Sequence, residues 1–157
     1  MPRWIESWLP GSPVGPNGRV IDGHSGEQFG LPASGVGSVV GFGRRFAALT
    51  VDWLLAYLIA ALLTGSGAIE DPTINWRVLG VWFLLAAALV AVFGASTGMA
   101  ALGIRVTSID GVAMVGVPRA LLRTALVALV LPALARDADG RGLHDRATRT
   151  IVVHTRA

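Results

Sequence analysis

Two long apolar segments constrain this sequence more than any other feature. Residues 46–64 contain one charged side chain, Asp52, and residues 78–95 contain none. A helix needs about 20 apolar residues to cross about 30 Å of hydrocarbon. The sequence therefore predicts an all-α membrane protein built on a hairpin of two transmembrane helices. The second helix can extend to about residue 100 as a longer tilted helix, and the alternative is a bend near residues 94–96.

A third apolar segment, residues 120–135, contains Arg123 near its start and Pro132 near its end. Its apolar run from residue 125 to residue 135 has 11 residues. That length is short for a span and favours a re-entrant or interfacial helix. A full crossing by this segment is the alternative prediction.

The distribution of charge favours a membrane over nucleic acid as the partner. Only 15% of the residues are charged, whereas soluble domains have about 25%. All 13 basic residues are arginines, and among them only Arg77 lies between the first two apolar segments. Because cytoplasmic loops are rich in basic residues, we predict a protein of the cytoplasmic membrane with residues 1–41 and 96–123 on the cytoplasmic side. The polar tail, residues 136–157, stays on that side if the third helix is re-entrant.

The N-terminal 41 residues are predicted to form an irregular arm, because five of the eight prolines and many glycines lie there. The exception is a short amphipathic turn that carries Trp4 and Trp8. This turn suits an interfacial anchor, and the alternative is a docking peptide for a partner protein. The remaining residues, 42–157, form the predicted membrane domain.

Two further stretches predict extended structure outside the helices. Residues 104–109 alternate on either side of a strand, and Asp110-Gly111 is a strong turn dipeptide. This pattern predicts a small β-hairpin-like or extended element at the membrane surface. The tail contains a strand-like apolar run at residues 150–153.

Asp52 is the residue that most needs an explanation. A carboxylate at the centre of a membrane helix costs roughly 2.5–3.5 kcal/mol on insertion scales. Arg45 lies on the same helix face but two turns away, too far for a direct ion pair, and together with Arg44 it suits a headgroup anchor. Asp52 is therefore either one half of a buried ion pair that fixes packing or an ion or proton site. The candidate partners elsewhere in the chain are Arg105, Arg119, Arg123 and Arg141.

No motif in the sequence predicts catalysis, a cofactor or a metal. The chain has no cysteine, and its three histidines are too far apart for metal-ligand spacing. Ser96-Thr97-Gly98 favours backbone capping and close helix packing over a small-anion site. His144 next to Asp145 favours a polar loop contact. We therefore predict that the chain is not an enzyme.

Several blocks of the sequence, taken in order, resemble the RDD family of small bacterial membrane proteins. The family is named for one arginine and two aspartates, and the resemblance places these at Arg45, Asp52 and Asp145. It also implies that the tail aspartate returns toward the first helix. Met99 stands where the family often has lysine, and the region between Arg123 and residue 142 is shorter than in the family. The matching blocks are residues 44–52, 96–106, 110–111, 119–123, 141–145 and 150–153.

Two functions follow as hypotheses. The first is a non-catalytic accessory or scaffolding subunit of a larger membrane complex, for example a respiratory one. The arm with Trp4 and Trp8, the small-residue faces of the second helix and the low number of helices favour it. The second is a small-solute or cation/proton transporter that acts as a homo-oligomer around Asp52. The expected partners are membrane lipids and either other membrane subunits or further copies of the chain, and not nucleic acid.

Overall fold

A computed structural model of the chain describes residues 24–109, 115–129 and 142–156. Several predicted features lie outside these ranges, namely Trp4, Trp8, Asp110-Gly111, Arg141 and the end of the third apolar segment. The described elements are helices α1 to α5 and strands β1 and β2, with a short 3-10 turn at Glu27–Phe29 before them. In chain order they are α1 (Phe42–Thr64), α2 (Ile74–Phe93), α3 (Thr97–Ala101), β1 (Ile104–Ser108), α4 (Val117–Ala128), α5 (Leu143–Ala147) and β2 (Thr150–His154).

Helices α1 and α2 are each long and apolar enough to cross a membrane. α1 begins four residues before the predicted start, at Phe42. It contacts its neighbours through small buried residues, Ala48, Ala56 and Ala60. Its other faces carry large apolar side chains that remain exposed, among them Leu62 at 73% exposure. This distribution suits a helix that is mostly surrounded by lipid.

Three contacts join α1 to α2 and to the turn that follows α2. At one end, Arg77 donates a hydrogen bond from Nη1 to Thr64 Oγ1 at 2.9 Å. In the middle, the rings of Trp53 and Trp82 stack with their centroids 5.3 Å apart. Asp52, directly before Trp53, accepts a hydrogen bond from Ser96, which follows α2.

Helix α2 ends at Phe93, so the predicted extension to residue 100 is wrong and the alternative, a bend near Gly94, is confirmed. Gly94 adopts a left-handed conformation with φ of 70°, and a Cβ atom there would lie 2.9 Å from the carbonyl oxygen of Val106. Only glycine tolerates this combination easily. The chain therefore turns and restarts as the short helix α3, which Ser96 caps by accepting a hydrogen bond from the backbone of Met99.

The structure contains a small sheet, which corrects the all-α prediction. Among the described residues, β1 takes its partner strand from the tail. It pairs with β2 in antiparallel register, from Ile104 opposite His154 to Ser108 opposite Thr150. Four of the five residues of β2 are buried. Its pairing with β1 therefore keeps apolar surface away from water, which favours this partner.

The C-terminal part of the arm adds to the other edge of β2. Gly37 donates a backbone hydrogen bond to His154, and His154 donates one to Ser38. Val40 in turn donates a backbone hydrogen bond to Val152, and both side chains are buried. The described part of the tail, predicted as polar, is thus built into the core at the end of the helices.

Helix α4 begins at Val117, three residues before the predicted start, and has 12 residues. It packs on α2. Its buried residues are Ala120, Arg123 and Thr124, while Leu121 and Leu122 are exposed. A helix of this length spans about 18 Å, so the described part of α4 is about half as long as a hydrocarbon crossing.

Candidate functional site

The carboxylate of Asp145 lies between two arginines from different helices. Arg45 of α1 donates a hydrogen bond from Nη1 to Oδ2 at 2.7 Å. Arg123 of α4 contacts Oδ1 through both Nε and Nη2 at 3.1 Å. The Asp145 side chain is completely buried, and the Arg123 side chain is 5% exposed. One side chain of the tail thus joins α1 and α4.

Local structure around Asp145 fixes the position of the carboxylate. Helix α5 is a single turn that places His144 and Asp145 side by side, with His144 Nε2 at 3.4 Å from Oδ1. Thr150 Oγ1 also approaches Oδ1 at 3.5 Å and lies 2.9 Å from Thr148 Oγ1. Because β2 holds Thr150 in the sheet, the sheet and the arginines position the same carboxylate.

The electrostatic surroundings keep Asp145 ionised. Burial by itself raises the pKa of this carboxyl group, but the charges of Arg123, His144 and Arg45 outweigh burial and bring the pKa down to about 2. The ordinary value is 3.8. Asp145 is therefore a carboxylate at neutral pH, and its charge stabilises the folded state.

This lowered pKa predicts a loss of stability in acid. A carboxyl group with a lowered pKa stabilises the fold fully above its unfolded value, near 3.8, and loses that contribution as the pH falls toward about 2. The difference corresponds to about 2 kcal/mol. Between pH 7 and about pH 5, Asp145 should cause no change in the unfolding midpoint measured in mixed detergent micelles. Between about pH 4 and pH 2 the unfolding midpoint of the unmodified chain should fall in part because Asp145 becomes protonated, and Asp145→Asn should lack this contribution. An identical fall in both proteins would contradict the assignment.

Asp52 has two neutral donors as neighbours. Ser96 Oγ donates a hydrogen bond to Oδ2 at 2.5 Å, and the backbone nitrogen of Gly98 donates one to Oδ1 at 2.6 Å. Both donors belong to the turn between α2 and the start of α3. A Cβ atom on Gly98 would overlap the carbonyl of Ala48, so only glycine allows α3 to approach α1 this closely. The carboxylate therefore fastens α3 to α1.

A cavity of about 140 Å³ lies between these two groups of polar residues. Its wall is mostly apolar, but Asp52 and Ser96 lie on it together with Arg45, Arg123 and His144. Trp82 also lines this cavity. The structure thus brings the three residues of the family resemblance, Arg45, Asp52 and Asp145, around one region of the molecule.

The described arginines among the predicted partners of Asp52 make other contacts. Arg123 pairs with Asp145. Arg119 donates a hydrogen bond to Ser108, and Arg105 is on the exposed side of β1. Arg141 lies outside the described residues.

Sequence reasoning did not identify Ser96 and Gly98 as the donors to Asp52, nor Trp82 as part of the cavity. The only signal for the first two was the Ser-Thr-Gly sequence after α2, which indicated capping. Arg45 was interpreted as a headgroup anchor with Arg44. Only Arg44 stays exposed, where it contacts the ring of His154 at 3.0 Å.

Within residues 24–109, 115–129 and 142–156, no three His, Asp, Glu or Cys side chains come together as metal ligands would. No family model, no curated protein and no solved structure matches this chain. The resemblance to the RDD family therefore depends on the sequence blocks alone and remains a prediction.

Proposed function

We propose that this chain is a non-catalytic accessory subunit of a larger complex in the bacterial cytoplasmic membrane. The observation that carries the proposal is how its polar side chains are used. Asp145 is shared by Arg45 and Arg123, and Asp52 is bound by Ser96 and Gly98. These side chains join the helices, the sheet and the tail into one unit, as expected for a scaffold. In an enzyme or a transporter, such charged groups would serve the reaction or the transport pathway.

The exposed surface supports an apolar environment around the two long helices. Leu54, Leu62 and Leu84 are each more than 60% exposed. The small residues of α2 do not form a free docking stripe, because Ala86, Ala87 and Ala91 are already buried inside the chain. Any helix of a partner would therefore pack on the large side chains of α1 and α2.

The contacts of α4 support a re-entrant third helix. Ala120 belongs to the apolar cluster around Val90, at the end of α2, whereas Val127 packs against the cluster around Trp82, nearer its middle. The described part of the tail places Asp145 beside Arg45, at the end of the helices where α4 begins. A segment that enters to about half depth and returns keeps the arm, the sheet and the tail on one side of the membrane.

This topology predicts opposite accessibility for two single-cysteine variants of the cysteine-free chain. Ser66 is exposed in the loop between α1 and α2, and Thr155 is exposed just after β2. In intact spheroplasts, a membrane-impermeant maleimide should label Ser66→Cys fully and should label Thr155→Cys only after lysis. Labelling of both variants before lysis would contradict a hairpin with a cytoplasmic tail.

The accessory role is tested by photo-crosslinking in native membranes. A photoreactive residue at Leu62 of α1 or at Leu84 of α2 should give a product of one defined mass with a different membrane protein. The same residue at buried Ala60 serves as the control for the folded chain. Products that contain only lipid or a second copy of this chain, together with migration as a monomer or homodimer in mild detergent, would contradict the proposal.

The cavity favours a second candidate, a transporter of a small solute or cation that works as a homo-oligomer. Its wall carries Asp52 beside charged and apolar side chains, and two spans are too few to enclose a pathway without further copies. In reconstituted vesicles Asp52→Asn should then abolish flux while the thermal unfolding profile stays that of a folded protein. Unchanged flux in that variant would remove this candidate.

A further inference from the structure

The cavity beside Asp52 has the size of a headgroup fragment rather than of a whole lipid. The space open to the centre of a water molecule is about 140 Å³, and about 10–15 Å³ of such space holds one water. A phosphate group fits this space, but a lipid with its acyl chains does not. Anything larger must leave its apolar part outside.

The wall of the cavity offers hydrogen-bond donors. Arg45 and Arg123 contribute guanidinium groups, and both side chains are at least 88% buried. Guanidinium groups recognise phosphate and carboxylate oxygens better than any other side chain. Asp52 also lies on the wall, but both of its oxygens already accept hydrogen bonds from Ser96 and Gly98.

Trp82 supplies the independent observation that points to a ligand. Its side chain lines the cavity and is 3% exposed. Within the described part of the chain, its indole Nε1 has no hydrogen-bond partner. Buried indole N–H groups usually have a hydrogen-bond acceptor, and a buried donor without one destabilises the fold. An acceptor oxygen in the cavity would remove that cost.

Two aromatic residues from the first turns of α1 line the cavity and remain partly exposed. Phe42 and Phe46 line it, stack on each other with centroids 5.9 Å apart and remain 44% and 58% exposed. This is the level at which α1 leaves the predicted hydrocarbon region. A lipid whose phosphate enters the cavity can therefore lay its chains along the exposed phenylalanines.

We infer that this cavity binds the phosphate of an anionic lipid, held by Arg45, Arg123 and the indole N–H of Trp82. The same chemistry would admit free inorganic phosphate, so the source is decided by experiment. The inference requires the membrane location but does not depend on the accessory role. A failure here leaves the crosslinking result of the proposed function unaffected.

The test uses the full chain in dodecyl maltoside and measures binding by native mass spectrometry. The probes are dioleoylphosphatidylglycerol, dioleoylglycerol, which has the same chains without phosphate, and inorganic phosphate. We expect phosphatidylglycerol to bind and dioleoylglycerol not to bind. Trp82→Phe keeps the ring but removes the donor, and should weaken phosphatidylglycerol binding about tenfold. Trp53→Phe is the matched control, because Trp53 stacks on Trp82 but does not line the cavity.

Each outcome decides the matter. Equal binding of the two lipids to the unmodified chain would overturn the inference, and this comparison needs no variant to fold. Equal affinity in Trp82→Phe and Trp53→Phe would overturn the role of the indole and with it the site. If inorganic phosphate displaces phosphatidylglycerol, the phosphate group alone is the ligand, and if it does not, the lipid is its source.

Discussion

Replacing Asp145 with Asn should lower the free energy of unfolding by about 3–5 kcal/mol. The substitution keeps the shape of the side chain but removes the charge that Arg45 and Arg123 contact at 2.7 and 3.1 Å. Losing the carboxylate of a buried ion pair leaves the arginines without that counter-charge in a medium of low dielectric. Because this carboxylate also lies beside Thr150, we expect the contact of the tail with α1 and α4 to loosen together. Reversible unfolding in mixed micelles measures the change.

Asp71→Asn is the control for this experiment. Asp71 also pairs with an arginine, Arg77, at 3.0 Å. Asp71 lies in the loop between α1 and α2, and the Arg77 side chain in the first turn of α2 is 51% exposed. Water therefore screens this pair, and such pairs contribute little. A loss of stability in Asp71→Asn as large as in Asp145→Asn would contradict the central role of the buried cluster.

Gly98→Ala should be the second strongly destabilising change, by about 1–3 kcal/mol. The added methyl group would overlap the carbonyl of Ala48 and come within 3.1 Å of the carboxyl carbon of Asp52. Both neighbours belong to the rigid helix α1, so α3 must move away. That movement also lengthens the hydrogen bond from the Gly98 backbone to Asp52. The same unfolding assay measures the effect.

Gly80→Ala gives the matched control within a helix. Gly80 lies in the interior of α2, and a Cβ atom there meets nothing within 4 Å. The substitution should therefore stabilise the chain by about 0.5–1 kcal/mol, because alanine loses less backbone freedom on folding. Opposite signs for the two substitutions are expected, and equal losses would show that close packing of α3 on α1 is not the reason.

The two long helices could be predicted because hydropathy is a local property. Residues 46–64 and 78–95 carry almost no charge, and the structure has helices over Phe42–Thr64 and Ile74–Phe93. The end of α2 was less clear, because the apolar character continues past Gly94. Only the contact of Gly94 with the backbone of Val106 decides that the chain turns there.

The pairing of β1 could not be predicted from its own residues. Alternation indicated a strand at residues 104–109, and the Asp-Gly dipeptide after it favoured a local hairpin. The partner is instead Thr150–His154, more than 40 residues later. Antiparallel pairing depends on which strand can be buried against the helix ends, and no local pattern contains that information.

Local sequence was enough to predict two apolar helices and the need to compensate one carboxylate within the first of them. It could not assign the compensating groups, because a backbone N–H such as that of Gly98 has no signature in the sequence and looks the same at every residue. Likewise, the tertiary structure alone decided that Arg45 turns inward to meet Asp145, 100 residues away. Burial in lipid follows from the composition of a short segment, whereas the pairing of charges depends on which distant segments the folded chain brings together.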